Sequence, residues 1–511
     1  MKTMGKQFSC FCEMISQRFA GIILLCLAVI SFFCYSHIVM DNTEASVFHL
    51  NNYVFWIIII FVIVLLKMFI KVIDGIKTNK LFIILTIIYL IAGFWLIFNT
   101  PAKVKGDAAM LVKYVNKFLE GDFSSGFAEG YYLRYCPYQL GMITYEYFLV
   151  HIWNNVRFFF ILNLFMVIGI NFVQWKITEK LFTKENGISN PEKVTKIEIL
   201  ISFLFLPQFF FILFAYGQIP GLFMLEIALY NLIRYREDYK IKNAIACGLF
   251  GGVAVLFKNN YLLGCITILI ILLLDVIRKT NLKKIVLLIV MAVMMIGMQK
   301  GMYQIYRNIS GVNFGNGVSM SSVFASGIIA TSSDNTRADG WYNGYNLEVY
   351  DQAGYDDELA SEIGWAKVSE RVDVFVNDPV YAAYFFRNKI ISTWCEPTFQ
   401  SLWSGPAVET GFEIDNRILH SLYTDGHVNM AFEKIMNAVI FIIYLLAGAY
   451  VFMKKKLGVK LELVDIFPYV YFLGGFLYHL IAETKSQYVY MYVFCMLPYV
   501  AYMISKTKKL N

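Results

Sequence analysis

The sequence predicts an all-α polytopic membrane protein of about twelve transmembrane helices, and three observations carry that prediction. Of its 511 residues, 58% are hydrophobic and only 16% charged, which lies outside the range of soluble globular chains. The apolar residues gather into runs of the length that crosses a bilayer, roughly 17–25 residues. Lysine and arginine then collect at alternate ends of those runs. Cation-rich connections hold Lys67/Lys71/Lys77/Lys80, Lys176/Lys180/Lys184/Lys193/Lys196, Arg234/Arg236/Lys240/Lys242, Arg278/Lys279/Lys283/Lys284, Lys454/Lys455/Lys456/Lys460 and the tail Lys506/Lys508/Lys509. The intervening connections are nearly bare: no cation in 41–52 or 216–219, and only Lys258 and Lys485 at two further turns. Short cation-rich loops stay cytoplasmic. The bare turns and two long loops, about 100–154 and 300–430, are therefore expected outside, with both termini inside, as in a multi-pass protein of the cell membrane.

The spans read from the sequence are 19–39, 53–73, 81–99, 155–175, 197–215, 219–234, 242–257, 260–277, 283–300, 432–453, 464–481 and 487–504. Lys2, Lys6 and Arg18 precede the first run and no small-residue cleavage site follows it, so an uncleaved first span is expected. Residues 138–152 (YQLGMITYEYFLVHI) tempt a thirteenth span. Accepting it would invert every later loop, and the segment is short and carries Glu146 and His151. It reads instead as a helix lying on the outer membrane surface, apolar face down.

The first outer loop opens at Gly106-Asp107 with a helix through about Glu120, placing Leu111, Val115, Phe118 and Leu119 on one face and Lys113 and Lys117 opposite. The second outer segment has turns over 334–346, a helix over 356–376 stopped by Pro379, and an amphipathic helix over 380–394. Four divisions result: 1–80, two additional N-terminal helices; 81–300, a transmembrane core containing the first outer loop; 301–430, a small mixed extracytoplasmic domain; 431–511, the C-terminal helices.

The formal charge of +7 sits in the cytoplasmic loops. It reads as topology and contact with anionic membrane lipids, with no basic stripe interleaved with aromatics for nucleic acid. Nine cysteines, scattered mostly in apolar runs, form no disulfide framework and no zinc spacing. Cys136 and Cys395 both fall outside, where they could pair, although scattered cysteines are more often buried apolar residues.

Candidate chemistry lies in the outer loops. Asp107 could take a proton from an acceptor hydroxyl or amine; equally, Gly-Asp ahead of a periodic helix is an ordinary N-cap. Arg134 beside Tyr135, Tyr138 and Gln139 suits a lipid phosphate through its planar fork, or simply snorkels to headgroups. Lys258, with Asn259 and Asn260, stands at a turn otherwise without cations and could meet charge on a leaving group. Glu483, Lys485 and Tyr488 mix both charges with donors at the last outer turn, which also reads as a solvated loop. Trp341, Tyr342 and Tyr345 could stack on a glycan or pack the loop. Of the acidic residues within or near spans, Glu146, Glu226 and Asp465, only Glu226 lies well inside one, which is weak support for a transporter. No metal-ligand spacing occurs, and His420 and His427 read as structural.

Several tracts together resemble the C-type (GT-C) membrane glycosyltransferases, and within them the polyprenyl-phosphate-sugar branch related to protein O-mannosyltransferases and lipid A aminoarabinose transferases. They are KGDAAMLVKYVNKFLEGD (105–122), YYLRYCPYQLG (131–141), FLPQFFFILFAYGQIPG (205–221), LFKNNYL (256–262), GWYNGYN (340–346) and AETKSQYVY (482–490). The first-loop and YGQIPG matches are the more specific, and the resemblance runs from about residue 81 onward. It implies that Asp107 is the base, that Arg134 and Gln139 line the donor site, and that Lys258 and Lys485 meet the donor phosphate by position. Tyr135, Tyr138, Gln218, Asn259, Glu483 and Tyr488 are then expected substrate contacts. The implied donor is a polyprenyl-phosphate sugar, and the acceptor a glycan, lipid or protein outside the cytoplasm.

Two departures bear on this. Gln218 stands where relatives often carry an acidic residue, and Ala108 follows Asp107 where the mannosyltransferases have a second acid. A glutamine binds a divalent cation poorly, so no cofactor or metal is implied with any force. The competing expectations are a transporter or lipid-linked glycan flippase, which would favour two similar halves and interrupted helices at mid-membrane, and a glycan polymerase or ligase with a lipid-diphosphate donor.

Overall fold

The protein is described here from a computed structural model covering residues 2–41, 43–279, 282–330, 337–405, 413–460 and 463–506. It is almost wholly helical, and eight of its described helices are long and apolar enough to cross a membrane, or nine if one bent pair counts as a single span. The chain opens with α1 (Lys2–Phe33). The expected span 19–39 is corrected at its end. Helix α1 stops at Phe33, and β1 (Cys34–Ile38) pairs antiparallel with β2 (Ser46–Leu50), Cys34 opposite Leu50 and Ile38 opposite Ser46. His37 in β1 lies between Glu433 (2.6 Å) and Asp425 (3.1 Å), which pins the hairpin to the helix that carries Glu433.

Helices α2 (Tyr53–Asp74) and α3 (Thr78–Phe98) follow, and α2 starts where the Asn52 side chain accepts from the amide of Val54 at 3.1 Å. The first outer loop holds α4 (Gly106–Leu119), the single turn α5 (Tyr132–Tyr135) and α6 (Leu140–Val150). Helix α4 buries Ala108, Leu111, Tyr114, Val115 and Phe118, whereas Leu119, expected on that face, is 38% exposed. With eleven residues, α6 reaches about 16 Å at 1.5 Å per residue, far short of a bilayer core. Its buried face, Leu140 to Ile143 and Glu146, is turned to protein, and Phe148 and Ile152 are the exposed apolar residues. The expectation of an apolar face lying only on lipid is corrected accordingly. Gly141 permits that packing, since a Cβ there would lie 2.3 Å from the carbonyl oxygen of Leu256.

The core continues through α7 (Val156–Leu181), α8 (Pro191–Phe203), α9 (Leu206–Phe210), α10 (Gln218–Asp238), α11 (Ile241–Phe257), α12 (Leu262–Arg278) and α13 (Leu282–Ser310). The expected span 197–215 is bent by 47° between α8 and the segment starting at Leu206, where Pro207 cannot donate to the preceding turn. Helix α10 carries Glu226, Arg234 and Arg236 and falls outside the eight apolar helices, and α11 is shorter than they are. The outer segment is α14 (Met320–Gly327), α15 (Tyr345–Gln352), α16 (Asp357–Asn377), α17 (Pro379–Trp394) and α18 (Arg417–Leu422). Helix α16 starts where Asp356 caps the amides of Glu358 and Leu359, and stops ahead of Pro379 as its sequence predicts. The turns expected over 334–346 are described only from Arg337 on; 334–336 lie outside the described residues. The chain closes with α19 (His427–Met453), α20 (Phe467–Ile481), α21 (Tyr490–Phe494) and α22 (Leu497–Lys506). The expected final span 487–504 is thus two helices with a break before Pro498.

Contacts divide the turns between two ends of the bundle. At one end Arg278 pairs with Glu13, Lys284 with Asp275 (2.7 Å) and Lys180 with Glu237 (2.6 Å), while Lys196 donates to the carbonyl of Asp74 (3.2 Å). These are the cation-rich connections. At the other end the β1–β2 hairpin, the first long loop, the turns after α11 and α20, and the outer segment meet. Within residues 1–80, α1 packs on α12, α19 and α20, and the hairpin reaches that second end. Cys136 and Cys395 are free and buried, receiving hydrogen bonds from Tyr138 and Ser31 instead of pairing.

Gly217 brings the turn before α10 against the end of α11. A Cβ there would lie 2.0 Å from the carbonyl oxygen of Phe257, backbone that cannot step aside. Gly217→Ala is expected to cost about 1–3 kcal/mol through overpacking, read as a lower midpoint of thermal unfolding in detergent.

Candidate active site

The site is assembled from turns that share the second end. Helix α11 stops at Lys258, whose extended backbone (φ −161°) turns its side chain inward. Lys258 is 6% exposed. Its Nζ lies 4.4 Å from the ring centre of Tyr216 and 4.8 Å from that of Tyr488, as a cation lies over aromatic faces. Among the described residues no carboxylate is within salt-bridge distance of it. Burial pushes the Lys258 ammonium down to about 7; the Asp107 carboxylate pulls it upward and Lys485 adds to the depression.

Tyr216 is fixed by Gln139, whose Nε2 donates to its hydroxyl. Gln218 Nε2 donates to Gln487 Oε1 at 2.9 Å, and its carbonyl accepts from Tyr261 and from Tyr490 (3.0 Å). Gln139 and Gln218 are both buried and brace the walls.

The stretch 482–488 is held on every side. The amides of Glu483 and Thr484 donate to the carbonyls of Val323 (2.9 Å) and Gly340 (3.1 Å). Lys389, 1% exposed, donates to the carbonyls of Ala482 (2.9 Å) and Gly327. Ser486 donates to Glu396 at 2.8 Å. Glu483 accepts from Asn346 (3.0 Å) and Ser326 (3.3 Å). Burial pushes the Glu483 carboxyl up to about 7, against the pull of Lys485. Lys485 reaches the other way, to Glu44 at the tip of the N-terminal hairpin (2.7 and 2.9 Å). Glu44 is fully buried and also accepts from Arg337 (2.7 Å) and Gln400 (2.9 Å). Burial raises its carboxyl, but Lys485 and Arg337 outweigh that and hold it below the ordinary range.

Asp107 occupies the first turn of α4, just after Gly106 in left-handed backbone (φ +56°). The N-cap position belongs to Lys105, without a side-chain capping bond, so the N-cap reading of Asp107 is corrected. Its carboxylate is exposed, well placed against the helix dipole. It acts electrostatically on Lys258, Glu483, and the hydroxyls of Tyr132, Tyr138, Tyr216, Tyr342 and Tyr488. Tyr132, Tyr138, Glu483 and Tyr488 keep some contact with solvent while protein surrounds them. With the buried Lys258 and Tyr216 and the exposed Asp107 they form one partly solvent-open cluster, here termed the recess.

The structure therefore brings Asp107, Tyr138, Gln139, Gln218, Lys258, Glu483, Lys485 and Tyr488 together. It takes three others elsewhere. The Arg134 guanidinium lies 5.1 Å from the Tyr355 ring centre, and Tyr135 donates to Asp351 at 2.6 Å, so both join the loop to α15 and its turn. Asn259 accepts from Gln299 at 3.0 Å, on the α13 side of its turn. Of the three aromatics proposed to stack on a glycan, Trp341 is fully buried, whereas Tyr342 faces Lys485 and Arg337.

Glu44, Arg337, Lys389 and the Lys105–Trp403 pair (3.7 Å) were not legible as site residues. Only Lys389 left a signal: with Phe385 and Ser392 it falls on the buried stripe of α17 at helical spacing. Among the described residues no three His, Cys, Asp or Glu side chains converge as metal ligands do. The chain matches no protein-family model and no curated protein at a significant level.

Lys389→Met would remove the donor from two buried carbonyls. A loss of about 1–3 kcal/mol is expected, measured as a fall in unfolding midpoint, with increased proteolysis or hydrogen exchange confined first to 482–488 and 327–330.

Proposed function

We propose that the protein is an inverting membrane glycosyltransferase of the GT-C type, moving a sugar from a polyprenyl-phosphate carrier to an extracytoplasmic acceptor. In this reading the chain crosses the membrane twelve times. The four segments beyond the eight long apolar helices are the bent α8–α9 pair, α10, α11 and the broken α21–α22. Both termini are cytoplasmic and the recess opens outside.

One observation carries the chemistry. Lys258 is a buried ammonium held between two aromatic rings, with no carboxylate of the described residues in contact, within the field of an exposed acid. Such a cation can take an anion as its counter-ion. The donor phosphate binds at Lys258, with Lys485 as the second cation in the part first given to Arg134. Asp107 removes the proton from the acceptor hydroxyl or amine as that atom forms its bond to the anomeric carbon. The bond from that carbon to the phosphate oxygen breaks on the opposite face. Its electron pair leaves with the lipid phosphate, whose charge the two cations meet. The configuration at carbon inverts because attack and departure use opposite faces.

Asp107→Asn is expected to lower sugar transfer from a polyprenyl-phosphate donor by about 10²–10⁴-fold while leaving affinity for the donor within a few-fold. Unchanged transfer by correctly inserted protein would remove the assignment.

A pH dependence follows from Lys258. Below about 7 the empty recess already carries the charged ammonium; above it, binding an anion requires uptake of a proton. Affinity for a phosphodiester, whose own charge is constant in this range, is therefore expected to fall as pH rises through 7. The slope approaches about tenfold per unit and is absent in Lys258→Met, measured by titration between pH 6 and 9.

A further inference from the structure

Five non-glycine residues of the described chain have left-handed backbone, and three of them, Glu44 (φ 58°), Phe399 (φ 49°) and Gln400 (φ 53°), converge on one ion cluster. Such conformations persist only where the surroundings over-determine them, and they gather at functional sites. Glu44 and Gln400 are both fully buried. The tip of the hairpin is locked from several directions: Trp403 Nε1 donates to the carbonyl of Asp41 (2.8 Å), the amide of Val39 to the carbonyl of Ala45 (2.9 Å), and the amide of Met40 to Asp425 (3.2 Å). Gln400 extends the network, its amide donating to Glu396 at 2.6 Å. The outcome is a single carboxylate presented to two cations, Lys485 and Arg337, on the side of Tyr342. The Lys485 ammonium lies 5.9 Å from that ring centre and 6.0 Å from that of Trp403. A lysine has a long flexible stem and a point charge. Without Glu44 the two cations would repel, and the Lys485 ammonium would be left with only the rings of Tyr342 and Trp403 beside it.

We infer that Glu44, contributed by the N-terminal hairpin and braced by Arg337, is a positioning residue that holds Lys485 at the recess, so that Lys485 receives the phosphate of a lipid-linked substrate. This rests on the phosphate role given to Lys485 above. The acidic tip makes residues 34–50 part of the site.

The test uses the full-length protein in detergent with farnesyl phosphate as probe, its binding followed by tryptophan fluorescence. Lys485→Gln and Glu44→Ala are each expected to weaken binding about tenfold, and the double variant no more than either alone, because Glu44 acts through Lys485. Additive losses, near a hundredfold, would overturn the inference, as would tighter binding by Glu44→Ala. If Glu44→Ala fails to fold, Glu44→Gln, which keeps the shape and one acceptor, carries the same cycle. A role in stability alone would lower the unfolding midpoint and leave the affinity of the folded protein unchanged, and that result too would overturn it.

Should the wild-type protein bind no prenyl phosphate, the functional reading fails, and positioning is then judged on Lys485 directly. Acylation of Lys485 by an amine reagent, read by mass spectrometry against the exposed Lys103, is expected to rise several-fold in Glu44→Ala or Glu44→Gln. An unchanged rate would overturn the positioning role independently of substrate.

Discussion

Lys389 lies on the buried face of α17 and gives its ammonium to the carbonyls of Gly327 and Ala482, so three separate parts of the chain are fixed to one point. Two carbonyls buried away from water would otherwise be left unpaired. Burial pushes the Lys389 ammonium down to about 7, against the pull of Glu483 and Asp339, because a charge is poorly solvated there. The contact persists because close backbone approach leaves no alternative: a Cβ on Gly327 would lie 2.1 Å from the carbonyl carbon of Ala482. Once 482–488 is held there, Glu483 faces Ser326 and Asn346, Lys485 faces the hairpin, and Tyr488 covers Lys258. That one fixed point sets the place of all three.

The electrostatics of the recess follow from unequal solvation. Asp107 is open to water and keeps its place at the start of α4, where the dipole favours an anion. Lys258 and Glu483 lie deeper, and burial moves each toward its neutral form. Glu44 is deeper still, yet remains an anion because two cations and Gln400 surround it. Buried charges survive where they are paired and hydrogen-bonded, and lose charge where they are not. The same rule separates a fixed ion cluster at Glu44 from an adjustable cation at Lys258.

Periodicity and charge made much of the architecture readable. The helices over 53–74, 78–98 and 156–181, and the α16–α17 pair with its proline stop, are where apolar runs and cap residues predict them. Boundaries were less legible where a helix meets the site. The run 19–39 ends early because residues 34–38 find a strand partner twelve residues later, and a long-range pairing leaves no trace in local hydropathy. The breaks before Pro207 and Pro498 were hidden inside apolar stretches whose composition alone suits a continuous span. Within the site, lone cations in bare turns, Lys258 and Lys485, were conspicuous for violating the loop pattern. Arg134 stood out instead for the aromatics beside it, but its guanidinium is taken up by Tyr355, a neighbour more than two hundred positions away. Glu44 was unreadable for the converse reason: an acid in an exposed-looking polar loop is ordinary until the fold encloses it.

The aromatic box around Lys258 has a bearing on which cation that position admits. An ammonium can discard its proton and sit between Tyr216 and Tyr488 as a neutral amine. A guanidinium, with a pKa above 12, stays ionised whatever surrounds it and would impose a permanent unsolvated charge on the vacant protein. Arginine is the commoner choice for gripping phosphate, yet here it would make emptiness itself costly. On the proposed reading, a lysine here gains a proton as the donor phosphate binds and gives it up as the lipid phosphate leaves, so that each turnover is coupled to the movement of a single hydrogen ion.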